Sequence, residues 1–222
     1  MKDRPILFSA PMVREILEGR KTQTRRMLKV QPAVIDGVFM HHVKGAKWCS
    51  GLPTLDLCPH GRIGDRLWVR ETWTATWTQP SGVMVHLVYA ADGSERTVTD
   101  FDGVPEDYAL PKAALRPGKF VSPLFMPRWA SRITLEITDV RVQRLGAISE
   151  EDAIAEGVER IGYGACCTPW KNYLLKPGEP FAKNHACARA SFASLWKWLH
   201  GPDAWMRDEG KWVWAVTFKR IK

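Results

Sequence analysis

Residues 133–140 read Ile-Thr-Leu-Glu-Ile-Thr-Asp-Val. Apolar positions 133, 135 and 137 alternate with Thr134, Glu136 and Thr138, the period of a strand with one buried face. Residues 142–145 extend the strand beyond a bulge. Moving outward, Ser149 followed three residues later by Asp152 resembles a capping box, and Gly157 is a stop, so a short helix is expected between them. A second helix is expected over about 188–199, where Phe192, Leu195, Trp196 and Leu199 form one stripe ahead of Gly201-Pro202. Residues 211–219 close the chain as a strand with Trp212, Trp214, Val216 and Phe218 on one face.

On the N-terminal side, Gly64-Asp65 turns into Arg66-Leu67-Trp68-Val69-Arg70-Glu71-Thr72-Trp73. Leu67 and Val69 take one side of this strand, and Arg66, Trp68 and Arg70 the other. Residues 83–90 are another strand candidate. At the start, Pro5-Ile6-Leu7-Phe8 is a short apolar strand. Ser9 is an N-cap, Pro11 occupies the first helical turn, and Gly19 ends the helix. Stretches at about 29–62, 92–122 and 160–186 are dense in Gly, Pro and Asp and read as irregular insertions. These elements predict a single α+β domain over 1–222: a mostly antiparallel, barrel-like sheet with a few helices.

Composition narrows the partners. The chain has 222 residues, and 32 Lys plus Arg against 24 Asp plus Glu give a net charge of +8. That balance favours polyanions such as nucleic acid. Eleven tryptophans supply indoles that either fill a core or stack on bases. No apolar run approaches the ~20 residues of a membrane span. The N-terminus lacks a secretory pattern, and five cysteines without a regular framework read as reduced thiols, so a cytoplasmic protein is expected.

The densest chemical signal follows the first helix: Gly19-Arg20-Lys21-Thr22-Gln23-Thr24-Arg25-Arg26. Four cations in eight residues exceed what a helix C-terminus requires. Gly19, Lys21 and Arg26 match the G-x-K-x-x-x-x-R signature of the ASCH domain family, a branch of the PUA-like barrels. Together with GDRLWVRET, MPRWASRITLEI and WVWAVTFKRI, the text resembles ASCH-related proteins carried by bacteriophages and prophages, across nearly the whole chain. The resemblance implies a small barrel with a cleft beside the first helix, ligands drawn from RNA, DNA or modified nucleosides, and residence in a bacterial host cytoplasm.

Some compact members of that family are amidohydrolases that remove the acetyl group of N4-acetylcytidine with a Lys, a Thr three residues later and a Glu from a following helix. The resemblance carries these roles to Lys21, Thr24 and Glu156. The set is chemically coherent. A Thr hydroxyl needs a base, and a Lys kept neutral by desolvation or neighbouring cations can serve. Arg20, Arg25 and Arg26 are candidates for those cations. Glu156 stands near the end of its helix, where the dipole disfavours a carboxylate and suits it to a proton shuttle.

A competing reading makes the basic residues a noncatalytic reader of RNA or DNA. Lys21, Arg25, Arg26, Arg66 and Arg70 would hold phosphates, and Trp68, Trp73 or Trp129 would stack a base, with Arg128 and Arg132 extending the surface. The plain alternative is that these arginines pair with Glu71, Glu136 or Asp65. A third reading is a phage protein whose insertions contact a host protein. Cys49, Cys58 and His60 lack the spacing of a zinc site, and Cys166-Cys167 are adjacent, so no metal or other cofactor is expected. His41-His42 and His185 read as exposed loop residues.

Overall fold

The computed structural model describes residues 1–35, 38–43, 47–51, 57–77, 84–99, 119–162 and 169–222. Its regular elements are β1 (Asp3–Leu7), α1 (Ala10–Leu17), β2 (Gln23–Met27), β3 (Ala33–Ile35), β4 (Val38–Val43), β5 (Lys47–Ser50), β6 (Arg66–Arg70), β7 (Trp73–Trp77), β8 (Met84–Tyr89), β9 (Glu95–Thr99), β10 (Thr134–Arg144), α2 (Glu150–Ala155), α3 (Ala188–His200), α4 (Ala204–Asp208) and β11 (Trp212–Arg220). The fold is mixed α+β with mostly antiparallel strands. Five strands form one sheet in the order β1-β6-β10-β11-β2, beside the three-stranded sheets β3-β4-β5 and β7-β8-β9. Among the described residues no helix is long and apolar enough to cross a membrane.

The chain divides into two compact units. One comprises Met1–Gly19, Gly64–Glu136 and Lys219–Lys222, the other Arg20–Ile63 and Ile137–Phe218. In the first, β1 runs parallel to β6, and β6 antiparallel to the start of β10. Ile6, Phe8, Leu67, Val69, Leu135 and Ile133 are buried, as the alternation requires. Helix α1 starts after Ser9 with Pro11 in its first turn and buries Val13 and Ile16. The meander β7-β8-β9 encloses a second apolar cluster around Trp73, Leu87, Tyr89 and Met126.

In the second unit, β2 pairs antiparallel with β11, with Thr24 opposite Val216. Helix α2 begins at the expected cap: the Ser149 hydroxyl accepts from the Asp152 amide, and Gly157 leaves the helix at φ +83°. Helix α3 buries Phe192, Leu195 and Trp196 against Leu145, Ile148 and Trp170.

Several expectations need correction. Residues 29–62 are not merely irregular, because β3, β4 and β5 form an antiparallel sheet there. Asp36-Gly37 between apolar runs is a hairpin signal as much as a loop signal, and Ile35 pairs with Val38 on either side of it. In the 92–122 stretch, β9 pairs with β8, and Val121 bridges Trp73. In the 160–186 stretch, Trp170 bridges both Arg160 and His185. The remaining parts of these two stretches, 100–118 and 163–168 with Cys166 and Cys167, lie outside the described residues.

His41 is a buried strand residue whose Nδ1 lies 3.0 Å from the Gly51 carbonyl, not an exposed loop residue. Strand β11 is buried on both faces at its centre, since Val213 and Ala215 are as enclosed as Trp214 and Val216. A strand flanked by two others and covered on both sides loses the alternation that a half-buried strand shows.

Candidate functional site

The basic segment after α1 becomes a site through its backbone. Gly19 takes φ +76° at the end of α1, a left-handed conformation that glycine adopts without a Cβ clash. Three residues on, the Thr22 amide donates to the Ala155 carbonyl at 2.8 Å, and the Thr22 carbonyl accepts from the Phe218 amide at 2.8 Å. Thr22 thereby fixes the entrance to β2 against the last turn of α2. That contact brings Lys21 to Glu156, the residue that ends α2.

Lys21 Nζ donates to Glu156 Oε2 at 2.7 Å and to the Glu156 backbone carbonyl at 2.8 Å, across 135 sequence positions. Both groups are enclosed, with side-chain exposures of 1 % for Lys21 and 5 % for Glu156. The other carboxylate oxygen, Glu156 Oε1, accepts from Arg25 Nη1 at 3.0 Å. Arg25 Nη2 reaches Asp152 Oδ2 at 2.7 Å, and Arg25 Nη1 also donates to Gln23 Oε1. Gln23 Nε2 donates to Asp152 Oδ1 at 3.0 Å, and Arg141 Nη2 approaches the same oxygen at 3.0 Å. The guanidinium of Arg25 also lies over the Phe192 ring, 5.7 Å from its centroid.

Burial pushes the Lys21 ammonium below its ordinary pKa. The charge and hydrogen bond of Glu156 oppose that fall, Arg26 and Arg25 reinforce it, and the net direction is down. Burial likewise lowers Arg26, against the pull of Glu156. For Asp152 burial acts upward, but hydrogen bonds from Arg141 and Gln23 and the charge of Arg25 outweigh it, so its carboxyl stays below the usual range. The cluster thus holds Glu156 shared by Lys21 and Arg25, and Asp152 shared by Arg25 and Arg141.

Thr24 is buried in β2. Gln23 and Arg25, its strand neighbours, both turn toward Asp152, so the pleat directs Thr24 to the face it shares with Arg26. The charge of Arg26 acts on both Lys21 and Glu156, and Glu156 meets β2 through Arg25, on the side of the pleat opposite Thr24. Arg20 is exposed.

The remaining expected site residues belong to the other compact unit. Arg132 is held by Glu71 through two hydrogen bonds of 2.8 Å and by Asp92 at 2.8 Å, and it stacks over Tyr89 at 4.2 Å. Of the plain alternatives for the arginines, pairing with Glu71 describes Arg132. Trp129 packs edge-on against the buried Trp73, their centroids 6.4 Å apart. Arg66, Trp68 and Arg70 occupy one side of β6, and Arg128 lies over Trp68.

Gln23, Asp152 and Arg141 escaped the sequence reading as site residues. Asp152 is legible there only as a capping-box member. Its amide does serve the cap, while its carboxylate serves Arg25 and Arg141. Among the described residues no three or more His, Cys, Asp or Glu side chains are grouped to hold a metal ion. Cys49, Cys58 and Cys187 are not joined in disulfides. Compared with protein families, curated proteins and solved structures, the chain finds no match.

Proposed function

We propose that the protein hydrolyses the amide of an N4-acylated cytidine-type nucleoside, with the Lys21–Glu156 pair handling the protons. The observation that carries this reading is the 2.7 Å contact between Lys21 Nζ and Glu156 Oε2 in an enclosed setting that lowers the lysine's proton affinity. A residue from the segment after α1 and one from the end of α2 have no local reason to meet. They are the positions to which the ASCH resemblance carries base and acid. Closure of the five-stranded sheet into a PUA-like barrel and a bacterial cytoplasmic setting belong to the same reading.

The chemistry follows from the groups. Burial and the charges of Arg26 and Arg25 weaken the hold of Lys21 on its proton, and in its neutral form Lys21 accepts the proton of the Thr24 hydroxyl. Thr24 Oγ forms a bond to the acyl carbon as its C=O π electrons move to oxygen. Collapse expels the cytidine nitrogen, which takes a proton from the Lys21 ammonium. Water then attacks the Thr24 ester, giving up its proton to Lys21, and collapse releases the carboxylic acid while Thr24 Oγ takes that proton back from the Lys21 ammonium. Glu156 holds Nζ in place through both proton transfers.

Incubation with N4-acetylcytidine, following cytidine release, tests the proposal. Wild type is expected to turn over, and Lys21→Ala, Thr24→Val and Glu156→Gln to lose activity by about 10² or more, the scale of a positioned acid–base group. Equal inactivity of wild type and Lys21→Ala across several N4-acylated substrates overturns it.

A further inference from the structure

The outward face of the first unit's sheet carries a feature that the hydrolase does not use. In β1, Asp3, Pro5 and Leu7 are exposed while Ile6 is buried. Arg66 stands opposite Asp3, Trp68 opposite Pro5 and Arg70 opposite Leu7. Paired residues of neighbouring strands point to the same side of a sheet, so Arg66, Trp68 and Arg70 share the solvent face. Thr134 and Glu136 of β10 extend it, opposite Trp68 and Arg66.

An indole on a solvent face ought to be open, yet Trp68 is only 7 % exposed. Two guanidinium groups lie over it: Arg70 at 4.7 Å and Arg128 at 5.9 Å from the ring centroid. Arg128 remains 44 % exposed and is steadied by Asp3 at 3.3 Å and by the Thr134 hydroxyl at 3.3 Å. Among the described residues no carboxylate lies within ion-pair distance of Arg66 or Arg70, and the Nε of each has no hydrogen-bond partner. Guanidinium groups backed by an indole are flat, cationic and held in place, whereas a lone surface arginine wanders.

We propose that this face binds single-stranded nucleic acid. Unpaired bases stack on the guanidinium planes of Arg70 and Arg128, which Trp68 supports from beneath, and Arg66 takes phosphate oxygens. Charge selects the occupant: the three arginines share the face with two carboxylates, Asp3 and Glu136, and Glu136 is already matched by Lys219 at 3.2 Å. A polyanion answers that excess, and bases answer the flat surface. The binding does not depend on amide hydrolysis, and either reading can fail without the other.

The experiment is fluorescence anisotropy of a labelled thymidine dodecamer and the matching uridine dodecamer with the full chain, at several salt concentrations. Both are expected to bind, with log K falling against log salt at a slope of about −2, since each of the three arginine charges, stacked or phosphate-bound, neutralises strand charge and contributes about −0.7. The triple variant Arg66→Gln/Arg70→Gln/Arg128→Gln is expected to weaken binding at least about tenfold and to flatten that slope. A charge-matched control, Lys29→Gln/Lys176→Gln/Lys183→Gln, removes three exposed cations of the second unit and is expected to leave affinity within twofold. Arg70→Lys keeps the charge and the fold but loses the flat surface, so it should weaken binding with the salt slope retained.

A preference for one dodecamer assigns the natural strand to DNA or RNA. No binding of either, an unaffected triple variant, or equal losses in triple and control variants overturns the proposal. So does a duplex bound as tightly as the single strand, because paired bases cannot stack on the arginines.

Discussion

Glu156→Gln is the most informative single perturbation of the second unit. The carboxylate accepts from Lys21 through one oxygen and from Arg25 through the other, at 2.7 and 3.0 Å. A glutamine of the same shape accepts through one oxygen only and turns an NH2 donor toward the other cation. Removing one partner of a buried pair typically costs about 3–5 kcal/mol. Here Arg25 keeps Asp152, and Lys21 keeps the backbone carbonyl of residue 156. The expected loss is therefore near the lower end, about 3 kcal/mol at pH 7.

The pH dependence has a definite sign. Burial already holds Lys21 below its ordinary value of 10.5 against the upward pull of Glu156. Without that pull the folded-state value falls further, while the unfolded chain is unchanged. Between the two folded-state values the native variant binds fewer protons than native wild type. Its deficit therefore shrinks as pH rises, by up to about 1.4 kcal/mol per pH unit. Urea titrations followed by tryptophan fluorescence at pH 6, 7, 8 and 9 measure this. The double variant Lys21→Met/Glu156→Gln should recover much of the loss, giving a coupling of at least about 1 kcal/mol. A deficit below about 1 kcal/mol, or one that is flat in pH, would refute the picture of an enclosed, mutually dependent pair.

Three other outcomes are expected. Arg132→Met leaves Glu71, 1 % exposed, without its bidentate partner and should cost about 3–5 kcal/mol at pH 8 by urea denaturation. Burial raises the Glu71 pKa even with Arg132 present, so the variant raises it further, and the deficit should be smaller at pH 5 than at pH 8. Ser149→Ala removes the oxygen that caps α2 and should cost about 1 kcal/mol in the same assay. Gly19→Ala meets no atom within 4 Å of the new Cβ, so its cost is the left-handed conformation alone, about 1–2 kcal/mol by thermal melting.

Local signals translated well into structure where a residue's own neighbours decide its conformation. Pro11 sits in the first turn of α1, Ser149 caps α2, and Gly157 and Gly201 end their helices at positive φ, whereas the Ser9 hydroxyl, expected as a cap, makes no cap bond. Period-two patterning located β6 and the first half of β10. Legibility failed where the third dimension decides. Gln23-Thr24-Arg25-Arg26 has no apolar alternation at all, yet it forms β2 because β11 offers it a hydrogen-bonding edge. In β10 the buried set shifts from odd positions, Leu135 and Ile137, to an even one, Val140, so one phase cannot describe all eleven residues. At the site, Lys21 and Glu156 were legible through resemblance, whereas Gln23 and Arg141 were not. Their roles come from converging on Asp152, and nothing in their own surroundings announces that.

The cost of the Lys21 cluster bears on why it exists. Two cations and a carboxylate taken out of water lose solvation that their mutual attraction only roughly restores, and apolar replacements of similar volume are often equally stable or better. Helix α2 needs no such cluster, since Ser149 caps its start and Ala153 anchors it in the apolar core. The start of β2 needs none either, because Thr22 is bonded on both sides through its backbone. Stability therefore gives a weak account of a lysine at 1 % exposure whose ammonium burial works to neutralise. Strong perturbation of a titratable group by enclosure and named charges is what proton-transfer chemistry requires. The arrangement also explains why Arg25 accompanies the motif. Arg25 holds the Glu156 oxygen that Lys21 leaves open, and its charge adds to the burial that weakens the grip of Lys21 on its proton.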